Sequence, residues 1–200
     1  MIDTADKATI AAYDADAGGF AEDWETQPAA SDLHDAVRRF FRPGSTADIG
    51  CGSGRDTAWL VGHGFSATGF DASEGLLGEA RRRHPGIRFV QTRLPDLNGI
   101  DDGSFTNVLC ETVIMHLPPD AITAAVEKLI AILVPGGTLY LSWRVTEHED
   151  RRDEHGRLYA AFDPDLVLKG LTGTELLLDE QRDSASSGKT VRRMVVRKAK

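Results

Sequence analysis

The stretch Ala47-Asp48-Ile49-Gly50-Cys51-Gly52-Ser53-Gly54-Arg55-Asp56 decides the fold of this chain. It follows a short apolar run that reads as a strand, and it opens a helix. Glycine in such a loop permits positive φ and lets a ligand approach the backbone where a Cβ would collide. The start of the helix adds unpaired N–H donors that suit an anionic group. Spacing then selects among ligands. A dinucleotide fingerprint with Gly50 and Gly52 as its first two glycines requires a third at position 55, where Arg55 stands. A triphosphate loop requires Gly-Lys before Ser or Thr, which is absent here. The glycines instead alternate at 50, 52 and 54 behind Asp48. The bland alternative is a tight strand-to-helix turn that holds nothing.

Outward from this loop, strand-like and helical runs alternate. Strands are predicted at 46–49, 67–70, 87–91, 106–110 and 138–143, with helices at 55–63, 73–83 and 119–133. Alternation at this spacing implies a parallel sheet covered on both faces by right-handed crossovers. Upstream, residues 4–41 read as helical, broken at Gly18-Gly19 and at Gln27-Pro28. Leu33, Val37, Phe40 and Phe41 keep helical spacing after Ser31 or Asp32 as N-cap, and Arg42-Pro43-Gly44 stops the run. Downstream come a helix at 164–171 and two strands at 174–181 and 191–197. The serine-rich loop 183–189 joins those strands, so the sheet is expected to finish with an antiparallel pair.

Composition narrows the classes. Two hundred residues suit one domain, 1–200, with 1–42 as a helical N-terminal segment and 43–200 as the core. A net charge of −8 argues against non-specific adhesion to nucleic acid or anionic membranes. The start, MIDTADKATI, lacks the basic and apolar segments of a signal peptide. No apolar run approaches the roughly 18 residues that cross a bilayer. Cys51 and Cys110 form neither a disulfide framework nor part of a metal cluster. The expectation is a cytoplasmic protein with no metal, nucleic-acid or membrane partner.

Four motifs together resemble class I S-adenosylmethionine-dependent methyltransferases, over about residues 45–143. Asp48-Ile49-Gly50-Cys51-Gly52-Ser53-Gly54 is similar to that family's first motif, and Leu94-Pro95 to its Leu-Pro pair. Ile114-Met115-His116-Leu117 resembles its Val-Leu-His-Leu segment, and Leu133-Val134-Pro135-Gly136-Gly137 its Leu-x-Pro-Gly-Gly turn. The resemblance implies an α/β, Rossmann-like, seven-stranded and mostly parallel sheet. Its strand order is 3-2-1-4-5-7-6, with the last-numbered strand antiparallel and helices on both faces.

The resemblance also implies S-adenosylmethionine as cofactor. Gly50, Cys51, Gly52 and Gly54 would wrap its methionine part, and Asp48 would take its ammonium end. Arg55 resembles the arginine of a Gly-Arg-Asp subset, similar to tellurite-resistance-type methyltransferases. It would pair with the cofactor carboxylate, or stand as a solvated first-turn residue. Asp71, beside Ala72, would accept bonds from two ribose hydroxyls while Ser73 caps the next helix. Arg93 stands where an acid is often found, so the adenine contact falls to backbone near Thr92 and to Leu94. Glu111, at the end of the fourth strand, is counted with the cofactor contacts, and would touch the acceptor or merely end the strand.

Methyl transfer from a sulfonium is an in-line displacement, so orientation and exclusion of water dominate, and a base serves only acceptors that must lose a proton. His116 and Tyr13 are the catalytic candidates, His116 because its unperturbed pKa is about 6.5. The alternative is a structural histidine bonded to backbone. Trp24, Met115 and Arg144 are the substrate-binding candidates, with packing as the other reading of Met115. Arg157 and Tyr159 join Arg144 as possible contacts to an anionic acceptor. Phe20 reads as core packing; the resemblance implies that the N-terminal segment 1–42 folds over the cofactor as a lid, with Gly18-Gly19 as its hinge. The Asn/Asp-Pro-Pro-Tyr/Phe motif of amino-methylating DNA enzymes is missing after the fourth strand. A small-molecule acceptor and a monomer or homodimer are therefore expected. A cofactor-binding protein without turnover is the rival from another class, and a nicotinamide-dependent oxidoreductase is disfavoured by Arg55.

Overall fold

The strand that leads into the glycine loop, β1 (Ser45–Ile49), is buried along four of its five residues because both of its faces are covered. The computed structural model describes residues 6–146 and 148–200. Parallel to β1 run β2 (Ser66–Asp71), β3 (Arg88–Gln91), β4 (Phe105–Cys110) and β5 (Leu133–Arg144). The hairpin of β8 (Thr174–Asp183) and β9 (Thr190–Lys198) closes the sheet, with β9 antiparallel to β5. The order is β3-β2-β1-β4-β5-β9-β8. This is the expected topology, renumbered by a small separate hairpin, β6 (Arg151–Arg152) and β7 (Leu158–Tyr159). That hairpin was not expected, because two-residue strands inside a charged loop leave no periodic signal.

Successive strand residues supply both layers. Val108, Leu139 and Leu141 pack with Ile122, Ala125 and Leu129 of α6 (Pro119–Ala131). Their neighbours Leu109 and Tyr140 point the other way. They meet Leu33 and Val37 of α3 (Ser31–Phe40) and Leu60 of α4 (Arg55–Gly62). Thus α3 belongs to the layer covering the sheet, apart from the two helices before it with which the expected unit 1–42 grouped it. The expected start of β5 at 138 also moves. The strand begins at Leu133, and Pro135-Gly136-Gly137 lie within it beside a register shift against β4.

Capping differs at two helices. Ser31 opens α3, and Asp32 sits in its first turn; Ala30 holds the cap position without a side-chain bond. The Asp32 carboxylate pairs instead with Arg193 of β9, both side chains being at most 4% exposed. Burial alone would raise the Asp32 pKa, but the bond and charge of Arg193 together with the backbone N–H groups of Ala185 and Leu33 outweigh it and hold the carboxyl low. The break between α1 (Lys7–Ala15) and α2 (Ala17–Thr26) falls at Asp16, not at Gly18-Gly19. Asp16 Oδ1 accepts from Gly19 N at 3.2 Å. A Cβ on Gly19 would come within 2.5 Å of that carboxylate, so the glycine serves the cap rather than a hinge. The Thr4 start of the expected helical region lies outside the described residues. No helix among the described residues is long and apolar enough to cross a membrane.

Candidate active site

Strand order reverses between β1 and β4, and a cavity of about 270 Å³ opens at the carboxyl ends of these strands. Open α/β sheets bind ligands at such a switch point, where diverging loops leave a crevice. The glycine loop and the ends of β2 and β4 line it, together with α1, α2 and the serines of the β8–β9 hairpin tip.

Gly50, Gly52 and Gly54 all adopt positive φ, as the spacing predicts. Their missing side chains, however, make room for protein. A Cβ on Gly50 would overlap Val113, and one on Gly52 would lie 2.8 Å from the Trp24 ring. Gly54 does not line the cavity; it is the left-handed cap of α4, packed against Phe89. The cofactor contact expected of Gly54 is therefore not among the residues that face the cavity. The loop is held open from behind, where Phe70 O accepts from Gly50 N (2.7 Å) and Cys51 N (3.0 Å). Cys51 lines the cavity, but burial pushes its thiol well above the usual range, as it does for Cys110.

Three carboxylates face one another across the floor. Asp48 accepts from Thr57 Oγ1 at 2.6 Å, and Glu111 accepts from the Ser142 hydroxyl. Burial, then the neighbouring Asp56 carboxylate, push Asp48 up to about 8 against the Thr57 bond. Burial pushes Glu111 up to about 7. Asp56 lies in the first turn of α4, with its Oδ1 3.9 Å from His34 Nε2. His34 is fixed by stacking on Trp59, with ring centroids 3.8 Å apart. Neither of these two atoms has a hydrogen-bond partner among the described residues. Arg55 Nε also lies 3.9 Å from Asp56 Oδ1, so one guanidinium faces three carboxylates here and the floor carries an excess of acidic groups that suits a cationic group.

Asp71 ends β2 with both oxygens anchored. Its Oδ2 accepts from Gly52 N at 2.8 Å and its Oδ1 from Ser73 N at 2.9 Å. Each oxygen keeps a further lone pair for a ligand. Ser73 caps α5 (Glu74–Arg83) as expected, its hydroxyl oxygen accepting from Leu76 N. Asp14 of α1 accepts from the Ser73 hydroxyl and from Gly75 N, which docks the N-terminal helix beside Asp71. Ala72, Arg93 and Leu94 line the adjoining wall.

At the opposite end, Tyr13 and His116 meet at 3.1 Å. His116 Nδ1 bonds to Leu158 O, which fixes the proton there and leaves Nε2 to accept from the Tyr13 hydroxyl. Burial lowers His116 to about 4, and burial raises Tyr13 well above an ordinary phenol. The pair is neutral, and the structural reading of His116 has the stronger geometric support. Trp24 and Arg144 line the cavity, with the Arg144 guanidinium 4.8 Å from the Tyr159 ring centre. Met115 does not line it. It is buried in the core, and its Sδ accepts from Arg144 N, so the packing reading replaces the substrate contact. Arg55 is neither solvated nor wholly free, because its Nη1 donates to Trp24 O at 2.7 Å and ties α2 to the glycine loop. Phe20 packs with Ala17 and Leu76 as expected.

The N-terminal helices are also tied to the β6–β7 hairpin. Arg152 donates to both oxygens of Asp6 at 2.9 and 3.1 Å, and Thr9 Oγ1 accepts from Leu158 N at 2.8 Å. Sequence reasoning missed Asp56, Thr57, Ser142 and the Leu158 carbonyl. Asp56 stood inside the quoted loop and Thr57 one step beyond it, whereas the other two are joined to the site only by tertiary contact.

Comparison with known proteins agrees with this geometry. Residues 47–137 match a family described as "Methyltransferase domain". Over 119 residues the chain is 36% identical to trans-aconitate 2-methyltransferase of Methylobacterium nodulans, covering 58% of this chain and 44% of that one. It is similar in structure to 1,6-didemethyltoxoflavin-N1-methyltransferase of Burkholderia thailandensis, solved with 1,6-didemethyltoxoflavin and S-adenosylhomocysteine. There the TM-score is 0.68 at 24% identity, over 95% of this chain and 88% of the other. A Methanosarcina mazei protein described as a SAM-dependent methyltransferase gives a TM-score of 0.71 at 18% identity, over 82% and 97% of the two chains. At these identities the structural likenesses establish a shared fold. The matched stretch spans less than half the length of the curated relatives.

Proposed function

We propose, on the premise that residues 47–137 form a methyltransferase domain of the class I, S-adenosylmethionine-dependent kind, that this chain transfers a methyl group from S-adenosylmethionine to a small-molecule acceptor. The observation that carries this reading is the pairing of an acidic floor with an anchored Asp71 around one glycine loop. A positively charged nucleoside with a free ribose diol fits that combination, whereas a pyrophosphate would meet carboxylates. Asp48, Asp56 and Glu111 take the ammonium end, Asp71 the ribose, and Ala72, Arg93 and Leu94 border the base. When bound, the cofactor supplies an electrophilic methyl group, so the chain's own task is to orient two reactants and exclude water. Tyr13, Trp24 and the hairpin tie enclose the reacting end. The helices over residues 7–26 act as the lid of a single domain.

The raised carboxyls give a prediction with a definite sign. Cation binding favours ionised Asp48 and Glu111, which are largely protonated below about pH 8 and 7 respectively. The cofactor should therefore expel protons when it binds near neutrality, and its affinity should rise toward pH 8. A calorimetric binding heat independent of the buffer's ionisation heat would contradict this. The free protein should behave in the opposite sense. Its folded carboxyl pKa values exceed the unfolded values of about 4, so the folded state holds more protons and stability falls as pH rises through that window.

The lid gives a second. Arg152 is 47% exposed, so Arg152→Ala should change stability by less than about 1 kcal/mol. It should nonetheless speed cofactor release in stopped-flow measurements; an unchanged rate would show that the tie does not gate the site.

The proposed function is tested by S-adenosylhomocysteine release with a panel of small acceptors. Tight cofactor binding with no release from any acceptor would favour the rival reading, a binding protein without turnover.

A further inference from the structure

The tip of the β8–β9 hairpin folds back over the cavity, where Ser184, Ser186 and Ser187 line it. Asp32 of α3 holds this tip in place, accepting from Ala185 N at 3.3 Å while it pairs with the buried Arg193 of β9. Two residues along the same helix, His34 Nε2 lies 3.9 Å from Asp56 Oδ1. The start of α3 thus touches both the serine tip and the acidic floor, and sets them side by side.

Hydrogen bonding inside the tip decides how its hydroxyls serve. Ser184 Oγ accepts from Ser187 N at 3.5 Å, and Ser187 Oγ accepts from Lys189 N at 3.4 Å. The Ser184 and Ser186 oxygens lie 3.2 Å apart and share one hydrogen bond. Ser184 is the buried member and Ser186 the half-buried one, so the Ser184 hydroxyl donates inward and the O–H of Ser186 is left for a ligand. Backbone amides that feed hydroxyl oxygens leave the O–H groups of Ser186 and Ser187 as donors, matched to a group that only accepts.

The glycine loop is short of such donors. Gly50 N and Cys51 N go to Phe70 O, Gly54 N to Cys51 O, and Gly52 N to Asp71. Arg55 has its Nη1 on Trp24 O and its Nε towards Asp56.

We propose that Ser186 and Ser187 bind the carboxylate of an amino-acid group whose ammonium lies on the acidic floor, so that floor and hairpin tip form the two halves of a zwitterion site. This rests on the methyl-transfer reading above and deepens it. The amino-acid end of S-adenosylmethionine is such a zwitterion, its ammonium on Asp48, Asp56 and Glu111 and its carboxylate turned away from them onto the hydroxyls. Neutral donors suit this place, because a further guanidinium beside the floor would compete with the ammonium for the same carboxylates.

The test is calorimetry on the full chain with S-adenosylmethionine, S-adenosylhomocysteine and decarboxylated S-adenosylmethionine, which keeps the sulfonium, ribose and amine. In Ser186→Ala/Ser187→Ala the two ligands that carry a carboxylate should bind about tenfold more weakly, while the decarboxylated one keeps its wild-type affinity. Ser186→Thr/Ser187→Thr, which retains both hydroxyls, should recover most of the loss. Thermal melts check that each variant is folded. An equal loss for all three ligands, or a loss for none, would overturn the inference. So would a change confined to the acceptor KM, which would move the serines to the acceptor side. A carboxylate-selective loss in Arg55→Ala that the serine variant fails to reproduce would place the carboxylate on Arg55 and overturn it likewise. All of these outcomes leave methyl transfer standing, whereas a folded wild-type chain that binds none of the three ligands would remove that reading and this inference together.

Discussion

Gly50→Ala is expected to lower stability by about 2–5 kcal/mol, the largest effect of any single methyl group added to this site. Two causes contribute. Gly50 sits at φ +76°, where an L-residue meets its own carbonyl, and the new Cβ would overlap Val113. For a domain of this length the thermal midpoint should fall by about 4–20 °C, within a total stability of only about 5–15 kcal/mol. Val113→Ala in the same chain should restore the packing part and leave the backbone part. Thermal melts of the single and double variants measure this split. A single variant that melts with the wild type would show that the loop relaxes freely, and the rigid seat argued for the cofactor would be lost.

Asp71→Ala should weaken S-adenosylmethionine binding by about 1–3 kcal/mol, the range for losing hydrogen bonds made to a charged acceptor. The carboxylate has two tasks here, since it also fixes Gly52 N and Ser73 N. Asp71→Asn separates them. Its amide oxygen can still accept one of those backbone bonds, so it should fold like the wild type yet bind the cofactor nearly as poorly as the alanine variant. Calorimetry on both reads the result. Full affinity in a folded Asp71→Asn variant would remove the ribose assignment.

Gly54 and Met115 show how the site was partly legible. Both lie in motifs that resemble cofactor or acceptor segments, and both turn inward. Gly54 serves the start of α4 against Phe89, and Met115 fills the core beneath Arg144. Arg55 likewise sits in the loop at the expected place, but its bond goes to the Trp24 carbonyl. A motif specifies the path of the backbone within a few residues. The side chain's partner depends on which distant segment lies opposite.

The sequence by itself determined the alternation of strands and helices, the antiparallel finish, the positive-φ loop, and the Ser73 cap of α5 just after β2. These follow from spacing, because period and capping act over one or two turns of chain. Only the tertiary structure decided that α3 is a core helix paired through Asp32 to Arg193, and that the α1–α2 break falls at Asp16. It alone decided that His116 lies locked between Tyr13 and Leu158 and that Asp48, Asp56 and Glu111 share one floor. Each of those outcomes depends on burial by residues far along the chain, and burial is what fixes both the protonation of a buried acid or imidazole and the partner it finds.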